Sequence, residues 1–282
     1  MGKNTVISGK KAIISAKYDF SFKELMSNET VRKYFISDIL DIPVKKIRSV
    51  RLMNTFLRKR YRKHKLGILD VLVELNDRIK INIEMQVVVY DHWDRRSLFY
   101  LAKMYVEELH TGEDYQQLKR CIHVSILDFN LTDDEEYHSV YRLRDAKGRE
   151  YSDAWEIHVI ELNKKLSGKD RIDDWIALFN AQSEEELDML SGKSLGLQEA
   201  VRELKEMSMT KRMRLRYEAH QKELRDRNAR ESYVRKEGME QGIEQGQEEM
   251  LIRFLKNGGT EKQACQMLQA TEEQLEKARR RL

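Results

Sequence analysis

The chain has 282 residues, of which 35% are charged, with 52 Lys and Arg set against 48 Asp and Glu and a single proline, Pro43. It contains no apolar run of about 18 residues, which excludes a transmembrane helix, and it is not the Pro/Ser/Gly tract of a disordered chain. Two cysteines far apart, Cys121 and Cys265, exclude a disulfide framework or a cysteine zinc site, and the N-terminus lacks a secretory pattern, so a cytoplasmic protein is expected.

The net charge of +4 is unevenly spread. Residues 201–282 carry 19 basic and 15 acidic groups, so the first 200 residues are balanced. Within that balanced part, residues 45–65 hold ten Lys or Arg and no acid. A run this dense favours a polyanion partner over a merely solvated face.

In chain order, apolar residues recurring every three or four places predict a helix over 18–41, ended by Pro43. Residues 46–58 read as extended. Two strands, 66–76 and 79–90, flank a turn at Asn76-Asp77-Arg78. A helix over 94–111 is predicted, with Leu98, Leu101, Tyr105, Val106 and Leu109 on one side and Gly112 as its terminator. Strands follow at 120–130, 136–144 and 154–162, then short helices at 170–179 and 184–190. The charged stretch 197–255 reads as helix. Thr260 with Gln263 and Thr271 with Gln274 fit capping boxes for two short helices, 261–269 and 272–281.

The hairpin is the most informative segment. A three-residue turn pairs Leu75 with Ile79, Glu74 with Lys80, Leu72 with Asn82 and Asp70 with Glu84. Alternation then places Leu69, Val71, Val73, Leu75, Ile81, Ile83 and Met85 on an apolar core face. The opposite face carries Asp70, Leu72, Glu74, Lys80, Asn82, Glu84 and Gln86. Like charges placed opposite each other repel, so Asp70 and Glu84 need a reason to share a row. A wet, half-solvated face is one reason. A divalent metal is the other, because Mg²⁺ takes oxygen ligands, often one or two carboxylates with substrate phosphate. Gln86 points to the same face, where its amide orients a water or touches a phosphate.

These residues, taken in order, resemble the PD-(D/E)XK nuclease superfamily, and within it the Rpn-type recombination-promoting nucleases or transposases. The resemblance rests on YDFSFKELM (18–26), KHKLGILDV (63–71), INIEMQ (81–86), RRSLFYLAKMYVEELHTGEDYQQL (95–118) and CIHVSILDFNL (121–131). It implies an α/β restriction-endonuclease-like core with a mixed central sheet flanked by helices, plus an all-helical C-terminal tail. The implied activity is Mg²⁺-dependent DNA endonuclease action (or Mn²⁺-dependent) that promotes recombination or transposition. The alternative is a non-catalytic DNA-binding or scaffold protein derived from such a nuclease.

By this resemblance Asp70 and Glu84 are the metal ligands, and Gln86 stands where the wider superfamily has lysine, as is common in this branch. Asp19 and Lys23 match the family's D-x-x-F-K helix, and Lys65 its basic residue ahead of the metal-binding aspartate. Asp19 is equally well read as a helix N-cap, and Lys23 and Lys65 as surface charges. The expected DNA contacts are Arg58, Lys59, Arg60, Arg62, Lys63, Lys65, Arg95 and Arg96. Tyr100 and Tyr105 are expected to pack on the sheet, and His64, His92 and His123 lack ligand spacing and read as structural.

The expected domains are 1–195, nuclease-like; 196–256, a long charged helical region with Gly-x-x-x-Gly spacing at Gly238, Gly242 and Gly246; and 257–282, a short helical hairpin. The three glycines suggest close approach of another backbone, possible in a homodimer, or else a flexible linker. The hairpin suggests a dimer element or a helix-turn-helix.

Overall fold

The computed structural model describes residues 13–57, 67–107, 109 and 114–282. Two compact units result, Met1–Arg214 and Leu215–Leu282. The expected boundary near 195 moves, because the helix that follows it packs on the first unit.

The first unit opens with α1 (Asp19–Ser27) and α2 (Glu29–Ile39). The continuous helix expected over 18–41 is broken at Asn28. The Asn28 side chain accepts hydrogen bonds from the backbone N–H groups of Thr30 at 2.9 Å and Val31 at 3.2 Å, which makes it an N-cap. A helical apolar rhythm runs across this break, so periodicity alone hides it.

Six strands form the main sheet: β1 (Val50–Leu52), β4 (Val71–Leu75), β5 (Ile79–Gln86), β6 (Arg120–Leu127), β7 (His138–Arg144) and β8 (Glu150–Glu161). Their spatial order is β1-β4-β5-β6-β8-β7. β5, β6 and β8 run parallel, and the remaining pairs are antiparallel. Two short strands, β2 (Phe56–Leu57) and β3 (Gly67–Ile68), pair beside it. The sheet is therefore mixed and helix-flanked, as expected.

The hairpin register is the one the sequence dictates, with Leu75 opposite Ile79, Glu74 opposite Lys80 and Leu72 opposite Asn82. Asn76 and Asp77 both take left-handed φ, 51° and 61°, a conformation Asn and Asp tolerate. The Asn76 side chain also accepts from the backbone N–H of Arg48 at 2.7 Å, which ties the turn to the chain before β1.

Both faces of this hairpin are buried. Val71, Val73, Leu75, Ile81 and Ile83 fill one face. The other is not a wet face: Leu72, Glu74, Lys80, Asn82 and Glu84 are all buried too. It is covered by α3 (Trp93–Val106), whose Tyr100, Leu101 and Met104 pack with Leu69, Leu72 and Cys121. The buried stripe of α3 is Trp93, Ser97, Tyr100, Leu101 and Met104. Leu98 and Val106, expected on the buried side, are exposed, because Ser97 rather than Leu98 takes the inward place.

Of the helices α4 (Arg171–Asn180), α5 (Glu184–Ser191) and α6 (Leu195–Met209), α6 packs on α1 and α2, α4 on α2, and α5 against α4 and α6. Phe35 meets Trp175 and Phe179 edge-on at 5.2 and 5.7 Å between ring centroids. Gly196 allows α6 to close on α2, since a Cβ there would stand 2.2 Å from the Cβ of Tyr34. Thr210 interrupts the charged stretch expected as one helix.

After it comes α7 (Lys211–Lys256), followed by α8 (Glu261–Leu268) and α9 (Glu272–Arg279). Both capping boxes form, at Thr260 with Gln263 and at Thr271 with Gln274. Within the second unit, Leu251, Ala264, Leu275 and Ala278 make a small core, and Lys277 and Arg281 pair with Glu244 and Glu248 at 2.9 and 3.0 Å. A Cβ added at Gly238, Gly242 or Gly246 would meet nothing within 4 Å. Hence no other described part of the chain approaches these glycines closely. No described helix is long and apolar enough to cross a membrane.

Candidate active site

The site forms where β4 begins, β5 ends and α3 starts. Just ahead of β4 the chain changes partners. Leu69 N–H donates to the Thr55 carbonyl at 3.0 Å, whereas Met53 N–H donates to the Leu72 carbonyl at 2.8 Å. Asp70 sits at the bend between these two bonds. It falls just outside the β4–β5 ladder, and its carboxylate accepts from the Met85 backbone N–H. The hairpin thus places it beside Glu84, as the register requires.

Glu84 is only 2% exposed. Burial, aided by the charge of Asp70, pushes its carboxyl up to about 7. The Asp70 carboxyl is also raised, first by burial, with the charge of Asp19 adding to it and Lys23 opposing it. The negative charge of Asp70 therefore makes ionisation of Glu84 harder, on top of its burial.

Helix α1 contributes Asp19 and Lys23. Lys23 Nζ stands 2.6 Å from Asp19 Oδ1 and 3.8 Å from Asp70 Oδ1. Asp19 is not the N-cap of α1; that place belongs to Tyr18. Helix α3 contributes Arg96, whose guanidinium lies over the rings of Tyr90, Trp93 and Tyr100 at 5.1, 5.5 and 5.2 Å. Its Nε is 3.8 Å from Glu84 Oε2, too long for a hydrogen bond, and has no hydrogen-bond partner among the described residues. Trp93 anchors the start of α3 by donating from Nε1 to Ser125 Oγ at 3.0 Å, and Ser125 is the β6 residue paired with Glu84.

Gln86 ends β5, and its Nε2 donates to the Val88 carbonyl at 2.8 Å. That leaves its Oε1 as an acceptor. Arg95 is exposed on α3, and Tyr100 and Tyr105 pack on the sheet face as expected. Arg58, Lys59, Arg60, Arg62, Lys63, His64 and Lys65 lie outside the described residues. A cleft of about 730 Å³, lined among others by Tyr90, Trp93, Leu98, Phe129 and Tyr141, opens beside the rings that hold Arg96.

The structure also brings in two residues the sequence does not single out. Asn82 Nδ2 donates to Glu84 Oε1 at 3.1 Å and lies 3.0 Å from His123 Nδ1. Burial, with a smaller effect from Arg96, lowers the His123 imidazole to about 3, so it is neutral. Only the parallel pairing of β5 with β6, which sets Asn82 opposite His123, reveals the link. Among the described residues there is no cluster of three or more His, Cys, Asp or Glu able to hold a metal; the site offers two carboxylates.

Residues 16–233 match the family model described as PD-(D/E)XK nuclease family transposase. The chain belongs to this family. Its mixed sheet with flanking helices is the PD-(D/E)XK-like α/β fold, and membership supports a nuclease-type function in general. No curated protein and no solved structure matches the chain.

Proposed function

We propose that the chain is a metal-dependent DNA endonuclease that hydrolyses phosphodiester bonds and so promotes recombination or transposition. The observation that supports this best is the neighbouring pair of half-buried Asp70 and buried Glu84, whose carboxyls are both raised, next to a guanidinium packed among aromatic rings. A buried carboxylate with a second one beside it is costly to ionise unless something positive joins them.

The donor set fits a hard dication such as Mg²⁺ or Mn²⁺, which takes one or two carboxylates and leaves room for substrate phosphate. Asp70 and Glu84 would hold it. When bound, the ion supplies positive charge for the phosphoryl oxygens as negative charge develops on them. Arg96 presents a guanidinium suited to a phosphate oxygen, and Lys23 balances the charge of Asp70 from the other side. Gln86, whose amide nitrogen donates to Val88, offers Oε1 to accept a hydrogen bond from a water and so orient it. The basic segment 45–65 and Arg95 supply DNA contacts outside the site, which makes binding strongly dependent on salt.

A homodimer through the C-terminal helices accompanies this reading. Val234, Met239, Ile243 and Met250 are exposed on α7, and the open glycines leave room for a second helix.

The test is supercoiled plasmid incubated with purified protein and Mg²⁺. Nicking or linearisation that disappears with EDTA and in Asp70→Ala supports the proposal. Cleavage that survives Asp70→Ala refutes the assigned site, and DNA binding without any metal-dependent cutting favours a non-catalytic DNA-binding protein.

A further inference from the structure

We propose that Asn82 and His123 form a buried positioning pair that fixes which oxygen of Glu84 faces the metal, although neither residue touches metal or DNA. This rests on the metal-dependent reading above. Both residues are fully buried, on neighbouring strands and on the same sheet face as Glu84.

The two hydrogens of the Asn82 amide are both committed, one to Glu84 Oε1 at 3.1 Å and one toward His123 Nδ1 at 3.0 Å. The second bond requires a lone pair on Nδ1, hence an imidazole carrying its proton on Nε2. A neutral His123 therefore decides which way the Asn82 amide points. Turned the other way, the amide would set its carbonyl oxygen against the carboxylate. With Oε1 held from below, Oε2 is the oxygen on the Arg96 side.

Stability does not account for this arrangement. Asn82 Oδ1 and His123 Nε2 are buried without hydrogen-bond partners among the described residues, so the pair costs the fold more than apolar side chains would. Leu72, Tyr100 and Cys121 show that the same layer accepts apolar packing. Partners that orient a metal ligand from behind commonly change metal affinity by about 10–100-fold when removed.

The experiment measures Mn²⁺ affinity of the full chain by electron paramagnetic resonance, with thermal unfolding to confirm that each variant folds. Asn82→Leu removes the amide at similar volume. His123→Phe removes the acceptor, and His123→Gln restores one. Asn82→Leu and His123→Phe are expected to weaken Mn²⁺ binding by about 10–100-fold, and His123→Gln to recover most of it. A purely structural role would lower the melting temperature and leave the affinity of the folded protein unchanged. Should Asn82→Leu not fold, the contrast between His123→Phe and His123→Gln carries the same test. Wild-type Mn²⁺ affinity in folded Asn82→Leu, or equal affinities in the two His123 variants, overturns the positioning role while Glu84→Gln still abolishes binding. Absence of any Mn²⁺ binding sensitive to Glu84→Gln overturns the metal reading itself, and the positioning role with it.

Discussion

Glu84 makes a sharp prediction, because one buried carboxyl sets both the stability and the chemistry of the site. Its ordinary value is 4.5 and burial moves it to about 7. An acid raised in the folded state holds its proton there after the unfolded chain has lost it. Stability of the metal-free protein therefore falls as pH rises between those two values, and the loss is complete above 7. Each tenfold change in proton affinity is worth about 1.4 kcal/mol, so Glu84 costs about 3 kcal/mol at pH 8, where it is ionised, and about 1 kcal/mol at pH 5, where the folded protein holds it protonated.

Glu84→Gln removes the charge and keeps an oxygen for the Asn82 amide. In EDTA at pH 8 the variant is expected to be up to about 3 kcal/mol more stable than wild type, which is roughly 6–12 °C for a unit of this size. At pH 5 the gain shrinks to about a third. Calorimetry or circular dichroism at both pH values measures it. A variant less stable than wild type at pH 8, or a difference independent of pH, would refute the argument that Glu84 is held ionised against its surroundings.

Other expectations concern separate parts of the molecule. Gly196→Ala drives a Cβ into Tyr34 and is expected to cost about 1–3 kcal/mol, read as a lower melting temperature. Thr271→Ala breaks a capping box and is expected to cost about 1 kcal/mol, seen as loss of hydrogen-exchange protection in α9. If α7 carries a homodimer, Met239→Glu with Ile243→Glu converts it to monomer in analytical ultracentrifugation; an unchanged mass discards that surface. DNA affinity is expected to fall by at least about 10³-fold between 50 and 200 mM salt, and a flat salt response would remove segment 45–65 as a phosphate-binding element.

The hairpin register was legible because strict alternation from Leu69 to Met85 leaves one pairing that buries every apolar residue. The two capping boxes were legible because they are local and four residues long. Asn28 was not, since the apolar rhythm of α1 continues into α2 across it. Nor was the fate of the polar hairpin face. Its residues look ready for water, and only the packing of α3 through Tyr100, Leu101 and Met104 buries most of them. His123 reads from the sequence as structural for the same kind of reason. Its partner is 41 positions away on a parallel strand, and no short-range spacing encodes that contact.

Hydrolysis of DNA by the intact site is the central claim. Asp70→Asn and Glu84→Gln preserve shape while removing one charge each, so they separate chemistry from folding. The decisive measurement is Mg²⁺-dependent cleavage of plasmid DNA by wild type and by both variants, each shown to be folded. The account predicts cutting by wild type alone, abolished by EDTA. Equal cutting by either variant, or cutting that persists in EDTA, would contradict it.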